Sequence, residues 1–310
     1  MHREVYPTMI TPYTADGKVD YETAKKYVKW YAQKGCTGIF SLCQSSEISY
    51  LTLEERIQLN TVVYETAQKI KKDINQPLTI VTSGHIEGTI QEQAYELNKI
   101  IETGTDALVL ITNRLDPNQE GDDVWIRNAE KLLSSLPEDI PLGLYECPAP
   151  YKKLLTPTML DWCIQTDRFV FVKDTSCDIN IIHQRLQQLK NSKIKIYNAN
   201  AQTLLASLQA GAAGYSGVMA NFHPQLYVYL CEHFETEPEK AELLQAFLCT
   251  SSGFAENSTP YPLSAKYHMR FEGIPTVNYA RNRNSEELTD YMKDCTKQMH
   301  TLCEYFYKQL

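Results

Sequence analysis

Phe169-Val170-Phe171-Val172-Lys173-Asp174-Thr175-Ser176 sets four apolar residues in a row, closes on a lysine and then turns polar. A strand with one wet face alternates apolar and polar residues. An unbroken apolar run is covered on both faces, as parallel strands flanked by helices are. Short β-rich runs, most of them continuously apolar, occupy residues 6–10, 38–43, 78–83, 107–112, 141–146, 169–173, 194–198 and 214–220, eight in all. Between them lie amphipathic stretches with helix-start signals. Asp20 precedes YETAKKYVKWYA, Thr52 with Glu55 and Thr89 with Glu92 read as capping boxes, and Thr156 precedes Pro157 at a first helical position. Strand and helix repeated eight times predict an α/β fold closed as a TIM (β/α)8 barrel. The competing open, doubly wound sheet would want a GxGxxG after its first strand, and none is there.

The strand pattern stops near residue 236. Residues 239–250 and 285–310 read as helices. In the second, Leu288, Tyr291, Met292, Cys295, Met299, Leu302, Cys303 and Phe306 recur at three- and four-residue steps, the spacing of a core-facing stripe. The expected organisation is a barrel catalytic domain over residues 1–236 and a C-terminal helical domain over 237–310.

Composition narrows the function. The chain has 310 residues, 43% hydrophobic, and a formal net charge of -8, which argues against a nucleic-acid or anionic-membrane partner. The opening MHREVYPTMITPYT lacks the long apolar core of a signal peptide, and no apolar run approaches the roughly 18 residues of a membrane helix. The expectation is a cytoplasmic protein. Nine cysteines without a CxxC pair or zinc-finger spacing read as small buried hydrophobes kept reduced.

Catalytic groups of a barrel sit at the C-terminal ends of its strands. Lys173 ends its apolar run there. A lysine entering a barrel mouth loses solvation, which favours the neutral, nucleophilic amine; the alternative is a surface lysine closing a strand. Tyr145, on the neighbouring strand, can donate and accept a proton, or simply pack. Ser45 and Ser46, just before a helix, suit a carboxylate, or do turn and capping duty. Cys43, Cys147 and Cys177, near three strand ends, raise a metal-dependent barrel enzyme as a rival, without a histidine or carboxylate pattern to support it.

Taken together these segments resemble the dihydrodipicolinate synthase/N-acetylneuraminate lyase family, over nearly the whole chain. Met9-Ile10-Thr11-Pro12-Tyr13 resembles its opening strand, and residues 38–56 its GTTGE segment and LT-x-EER helix. Tyr145-Glu146-Cys147-Pro148 resembles its YNxP motif, Val172-Lys173-Asp174-Thr175-Ser176 its Schiff-base lysine motif, and residues 211–224 its eighth strand with an AN-x-x-P ending. The resemblance implies a pyruvate-type lyase or aldolase, commonly a homotetramer, or here a homodimer. It needs no metal or organic cofactor, because a covalent Schiff base on Lys173 serves instead. Tyr145 would shuttle protons, and Ser45 would hold the substrate carboxylate, with Ser46, Gln44 and Ser216 as further substrate contacts.

Departures from the family pattern point away from two of its activities. Gln44 replaces a threonine that joins a proton relay in dihydrodipicolinate synthases. The stretch 112–117 lacks the second tyrosine of that relay, and an expected arginine falls at about Pro150. The Asp-Glu pair that binds sugar hydroxyls in sialic acid lyases corresponds to Ala201 and Gln202. The reading is a lyase, aldolase or dehydratase for another 2-oxo-3-deoxy acid, with Gln44, Asn113, Arg114, Glu146, Ser176 and Ser216 facing its distal end. A non-catalytic 2-oxo acid sensor or partner-binding protein that keeps the pocket is the alternative from another functional class.

Overall fold

The computed structural model describes residues 3–310, apart from the side chains at 74 and 256–258. Eight parallel strands run in spatial order β1-β8-β7-β6-β5-β4-β3-β2. They are β1 (Glu4–Val5), β2 (Gly38–Ser41), β3 (Thr79–Thr82), β4 (Ala107–Ile111), β5 (Leu142–Tyr145), β6 (Phe169–Asp174), β7 (Lys195–Asn198) and β8 (Gly214–Tyr215). A single parallel bridge, Thr8 to Phe40, joins the two ends of this order and closes the barrel. The connecting helices are α1 (Tyr21–Gln33), α2 (Leu53–Ile74), α3 (Ile90–Ile101), α4 (Asp122–Leu133), α5 (Pro157–Thr166), α6 (Ile179–Gln188), α7 (Leu204–Gln209) and α8 (Pro224–His233). The expected caps form: Asp20, Thr52, Thr89 and Thr156 each accept from a backbone N–H of the first turn, and the glutamates at 55 and 92 complete their boxes.

Two strands depart from the expected bounds. The first ladder covers Glu4–Val5, ahead of the expected 6–10 run; within that run Pro7 has no N–H to give and contributes only its carbonyl, accepting from Phe40 N at 2.9 Å. The last ends at Tyr215, and the chain then coils into a 3-10 turn over Val218–Asn221. Inside the barrel the large side chains are aromatic. Tyr6, Phe171 and Tyr197 form a three-ring cluster, with Tyr197 4.7 and 4.8 Å from the other two and these 5.9 Å from each other, and Phe40 meets Tyr145 edge-on at 5.5 Å. These rings fill the barrel beneath its mouth, so the mouth has a solid floor.

The C-terminal region is helical: α9 (Pro238–Ser258), α10 (Leu263–His268) and α11 (Asp290–Gln309). The second of the two expected helices starts at Asp290; residues 285–287 form a separate 3-10 turn. Leu288, Met299 and Cys303 are buried as the stripe predicts, but Tyr291 and Leu302 are 72% and 51% exposed. They border an apolar groove between α9 and α11, so spacing identified the face without fixing what covers it. Leu244, Leu248, Ala265 and Met269 share one continuous hydrophobic cluster with barrel residues such as Ile39 and Tyr215. Among the described residues, no helix is long and apolar enough to cross a membrane.

Barrel closure leaves no room at Gly214. A Cβ there would stand 1.8 Å from the Glu4 carbonyl oxygen, at a φ of +156° that side chains rarely adopt. Gly214→Ala should therefore destabilise the fold by about 2–4 kcal/mol. Chemical denaturation would read this directly, and a variant within about 0.5 kcal/mol of the parent would show that the β1–β8 contact gives way freely.

Candidate active site

The β5–β6 register sets Tyr145 directly opposite Lys173. Paired residues in adjacent parallel strands share a face, so both side chains enter the barrel mouth. They border a cavity of about 400 Å³ together with Gln44, Ser45, Thr175, Ala199 and Gly217. Both are buried, each 4% exposed. The Lys173 ammonium nitrogen lies 4.3 Å from the Tyr145 ring centroid and 5.6 Å from that of Phe40. The Tyr145 hydroxyl donates to Gln44 Oε1 at 3.4 Å. Burial, with Cys147 and Cys43 beside it, pushes the phenol well above its ordinary range, so it holds its proton at neutral pH.

The turn after β2 is strained in the way such sites often are: Leu42 and Glu47 both take positive φ, 49° and 60°, around the 3-10 turn Gln44–Ser46. It separates the two serines. Ser45 borders the cavity and its hydroxyl donates to Thr8 Oγ1 at 3.1 Å. Ser46 points behind the turn, where its hydroxyl donates to the Met9 carbonyl at 2.6 Å and accepts from Cys43 N at 3.1 Å. Ser46 thus shapes the turn and does not face the substrate space. Ser216 is fully buried beside Gly217 and Val218, which do border the cavity.

Several expected distal contacts lie elsewhere. Glu146 follows Tyr145 and so leaves the strand on the opposite side. It is fully buried in an ion pair with Arg185 at 2.6 Å, and it accepts from Leu155 N and Thr175 N. Burial raises its carboxyl even though Arg185 pulls the other way. Asn113 staples the loop after β5, donating to the carbonyls of Cys147, Ala149 and Tyr151. Ser176 donates to Asp174 Oδ1 at 2.6 Å. Arg114 pairs with Glu87 at 2.7 Å on a neighbouring cavity of about 550 Å³, which shares Gln44, Asn282 and Arg283 with the first. Cys43, Cys147 and Cys177 do not converge as ligands: Cys147 Sγ donates to Gln44 Oε1 and Cys177 Sγ to Thr175 O, both at 3.4 Å, while Cys43 Sγ faces Ser46 Oγ.

Other residues at the mouth were not singled out by strand-end reasoning. Tyr261, Asn282 and Arg283 arrive from the C-terminal region, and Lys152 and Asn200 from loops after β5 and β7. Lys152 Nζ donates to the Thr175 carbonyl at 2.9 Å. Lys152, Lys173 and Arg283 make three cations on the cavity wall, and no described Asp or Glu borders it. Asn221, from the AN-x-x-P segment, is a hub: it donates to the Thr8 carbonyl and the Tyr261 hydroxyl, and accepts from the Tyr31 hydroxyl at 2.5 Å.

The sequence profile of the Dihydrodipicolinate synthetase family matches residues 1–301. The chain belongs to this family. Membership places it among lyase-type enzymes. Similar sequences include 4-hydroxy-tetrahydrodipicolinate synthases from Clostridium perfringens (25% identical over 266 residues, 84% of this chain and 86% of the relative) and Saccharophagus degradans (26% over 289 residues, 85% and 94%). Similar solved structures include an E. coli K12 prophage protein of the dihydrodipicolinic acid synthase family in complex with pyruvate. It has a TM-score of 0.83 at 20% identity and covers 98% of each chain. A monomeric dihydrodipicolinate synthase variant has a TM-score of 0.84 at 16% identity, covering 96% of each. At such identities the structures speak to the fold alone.

Within this family framework, Glu47 explains how the C-terminal region reaches the mouth. Its carboxylate is fully buried, 2.7 Å from Lys266 Nζ, and it also accepts from Arg281 N at 2.6 Å and Asn282 N at 3.2 Å. Burial draws Lys266 down to about 8, so at neutral pH the ammonium remains charged. Arg281 then grips Glu55 with two hydrogen bonds, 2.6 and 2.7 Å. Replacing Lys266 with methionine leaves Glu47 buried without its partner, a change expected to cost about 3–5 kcal/mol. Denaturant titration checks the loss, and a cost below about 1 kcal/mol would mean that the backbone amides alone hold Glu47.

Proposed function

We propose that the protein is a lyase that joins Lys173 to the C2 carbonyl of a 2-oxo acid and cleaves or forms the C3–C4 bond of a 2-oxo-3-deoxy acid. The observation that carries this reading is the buried pairing of Lys173 with Tyr145 across one strand register, on the floor of a cavity edged by Ser45.

In this mechanism the substrate carboxylate sits against Ser45 while Lys173 Nζ attacks C2. The carbinolamine loses its hydroxyl as water, using the Tyr145 proton, and leaves an iminium. The phenolate then takes the proton of the C4 hydroxyl. The C3–C4 bonding pair flows into the iminium, an aldehyde departs, and an enamine remains. Protonation at C3 and addition of water release pyruvate and restore the amine. Tyr145 gives one proton and regains one, so it ends the cycle as it began.

Gln44 shapes the choice of substrate. A hydroxyl at its position could pass a proton on, whereas Gln44 Oε1 only accepts from Tyr145. The proton path then has to run through the substrate's own hydroxyl, which supports a C4-hydroxylated 2-oxo acid over the condensation named for the synthase relatives. Lys152 and Arg283, the latter also paired with Glu287, border the cavity, which supports polar or anionic groups at the substrate's distal end. A homotetramer or homodimer in the cytoplasm belongs to the same reading, and the fold does not choose between assemblies, since a monomeric variant shares it.

Borohydride reduction of the protein with pyruvate, followed by peptide mapping, should place a pyruvyl adduct on Lys173 and none in Lys173→Ala, which should also lack turnover. Tyr145→Phe should slow turnover by about 10²- to 10⁴-fold. Failure of the folded protein to trap pyruvate or any longer 2-oxo acid sinks the proposal. Trapping without turnover of any 2-oxo-3-deoxy acid would instead support a sensor.

A further inference from the structure

A second cluster of ligating side chains lies in the C-terminal region and shares no residue with the Lys173 cavity. His268 ends α10, Glu272 follows in the next turn, and His300 projects from α11. We propose that His268, Glu272 and His300 bind a divalent first-row transition cation of the zinc class.

The geometry is the first argument. His300 Nδ1 lies 3.3 Å from His268 Nε2 and 3.7 Å from Glu272 Oε1, and the three donor atoms fall within 4.8 Å of one another. A four-coordinate zinc with bonds of about 2.0–2.1 Å holds its ligand atoms roughly 3.3 Å apart. The two imidazoles already stand at that separation, and the carboxylate has a few tenths of an ångström to close on His300.

The surroundings are the second argument. Ligating carboxylates are themselves held by outer hydrogen bonds. Glu272 Oε2 accepts from Trp30 Nε1 at 3.0 Å and pairs with Lys34 at 2.8 Å, which leaves Oε1 turned to the histidines. The rings are fixed as well: His300 stacks on Phe271 at 5.2 Å, and Phe222 meets His268 edge-on at 5.5 Å.

Two nitrogens and one oxygen suit zinc, copper or nickel better than the oxygen-seeking calcium and magnesium. Water would fill the fourth position. A cation here would staple α11 to the turn after α10, and through Trp30 and Lys34 to α1. Lys34 is the competing charge. It neutralises the same carboxylate, and its removal should strengthen cation binding.

The test uses the full chain, stripped with a chelator and titrated with Co²⁺, then with Zn²⁺ as competitor. The expected result is one equivalent of Co²⁺ with visible ligand-field absorption and no near-ultraviolet thiolate charge transfer, displaced by Zn²⁺, together with a higher melting temperature. His300→Gln should weaken binding by at least about tenfold, and Lys34→Gln should tighten it. Absence of saturable uptake, a thiolate band, or equal affinity in both variants overturns the proposal. If His300→Gln does not fold, Lys34→Gln decides the matter, and unchanged or weaker binding there overturns it.

Discussion

Arg185 of α6 is the constraint on which the reactive pair depends. Its guanidinium holds Glu146 and Asp174 together, the two residues that immediately follow Tyr145 and Lys173. Successive side chains on a strand face opposite sides. Clamping the two carboxylates on the outer side therefore fixes the phenol and the amine on the inner side, in adjacent register. Further hydrogen bonds hold the arrangement: Glu146 receives Leu155 N and Thr175 N, Asp174 receives Ser176 N and its hydroxyl, and Arg185 reaches the Leu155 carbonyl. A buried ion cluster is weak evidence for stability, because desolvation offsets much of its attraction. Its value here is positional, since any other strand rotation would strand a charge in the core.

Glu47 does the corresponding work for the upper wall. It stands at the end of the strained turn after β2, and it binds the side chain of Lys266 and the backbone of Arg281 and Asn282. That places Asn282 and Arg283 over a mouth built otherwise from strand ends. In the proposed reaction the barrel supplies the nucleophile, and the C-terminal region supplies a face that the substrate's far end would meet. Both buried clusters use the same device: a carboxylate close in sequence to a residue that borders the cavity is satisfied by a cation from another element.

The barrel was legible because its signals are local. Seven of the eight expected runs carry a strand, the first strand forms just ahead of its run, and the caps at Asp20, Thr52, Thr89 and Thr156 form as written. Where bounds moved, the backbone departs from the pattern: Pro7, inside the first run, has no N–H to give, and the chain after Tyr215 coils instead of pairing. Lys173, Tyr145, Ser45 and Gln44 were legible as strand-end residues that the fold brings to one cavity. Ser46, Glu146 and Ser176 were misdirected because membership of a strand-end loop says nothing about which way a side chain leaves it. Lys266 and Arg283 were out of reach for a different reason. Their role depends on packing between segments more than 200 residues apart in sequence, as the Lys266–Glu47 pair is.

The charge balance of the mouth carries the argument from fold to substrate. Three cations border a cavity with no described carboxylate, while the nearby acids are already engaged, Glu47 by Lys266, Glu87 by Arg114 and Glu287 by Arg283 itself. In the proposed reaction Lys173 serves as the amine nucleophile, and the substrate's C1 carboxylate meets Ser45, whose hydroxyl is held by Thr8. On that reading Lys152, bonded to the Thr175 carbonyl, and Arg283, paired with Glu287, offer their remaining N–H donors to groups beyond C4. A neutral aldehyde partner would leave both cations facing an apolar end, whereas a hydroxylated or anionic one would use their free N–H donors. Specificity in such a site comes from polar groups that must not be left unmet, and by that logic the distal half of the substrate is as polar as its 2-oxo acid half.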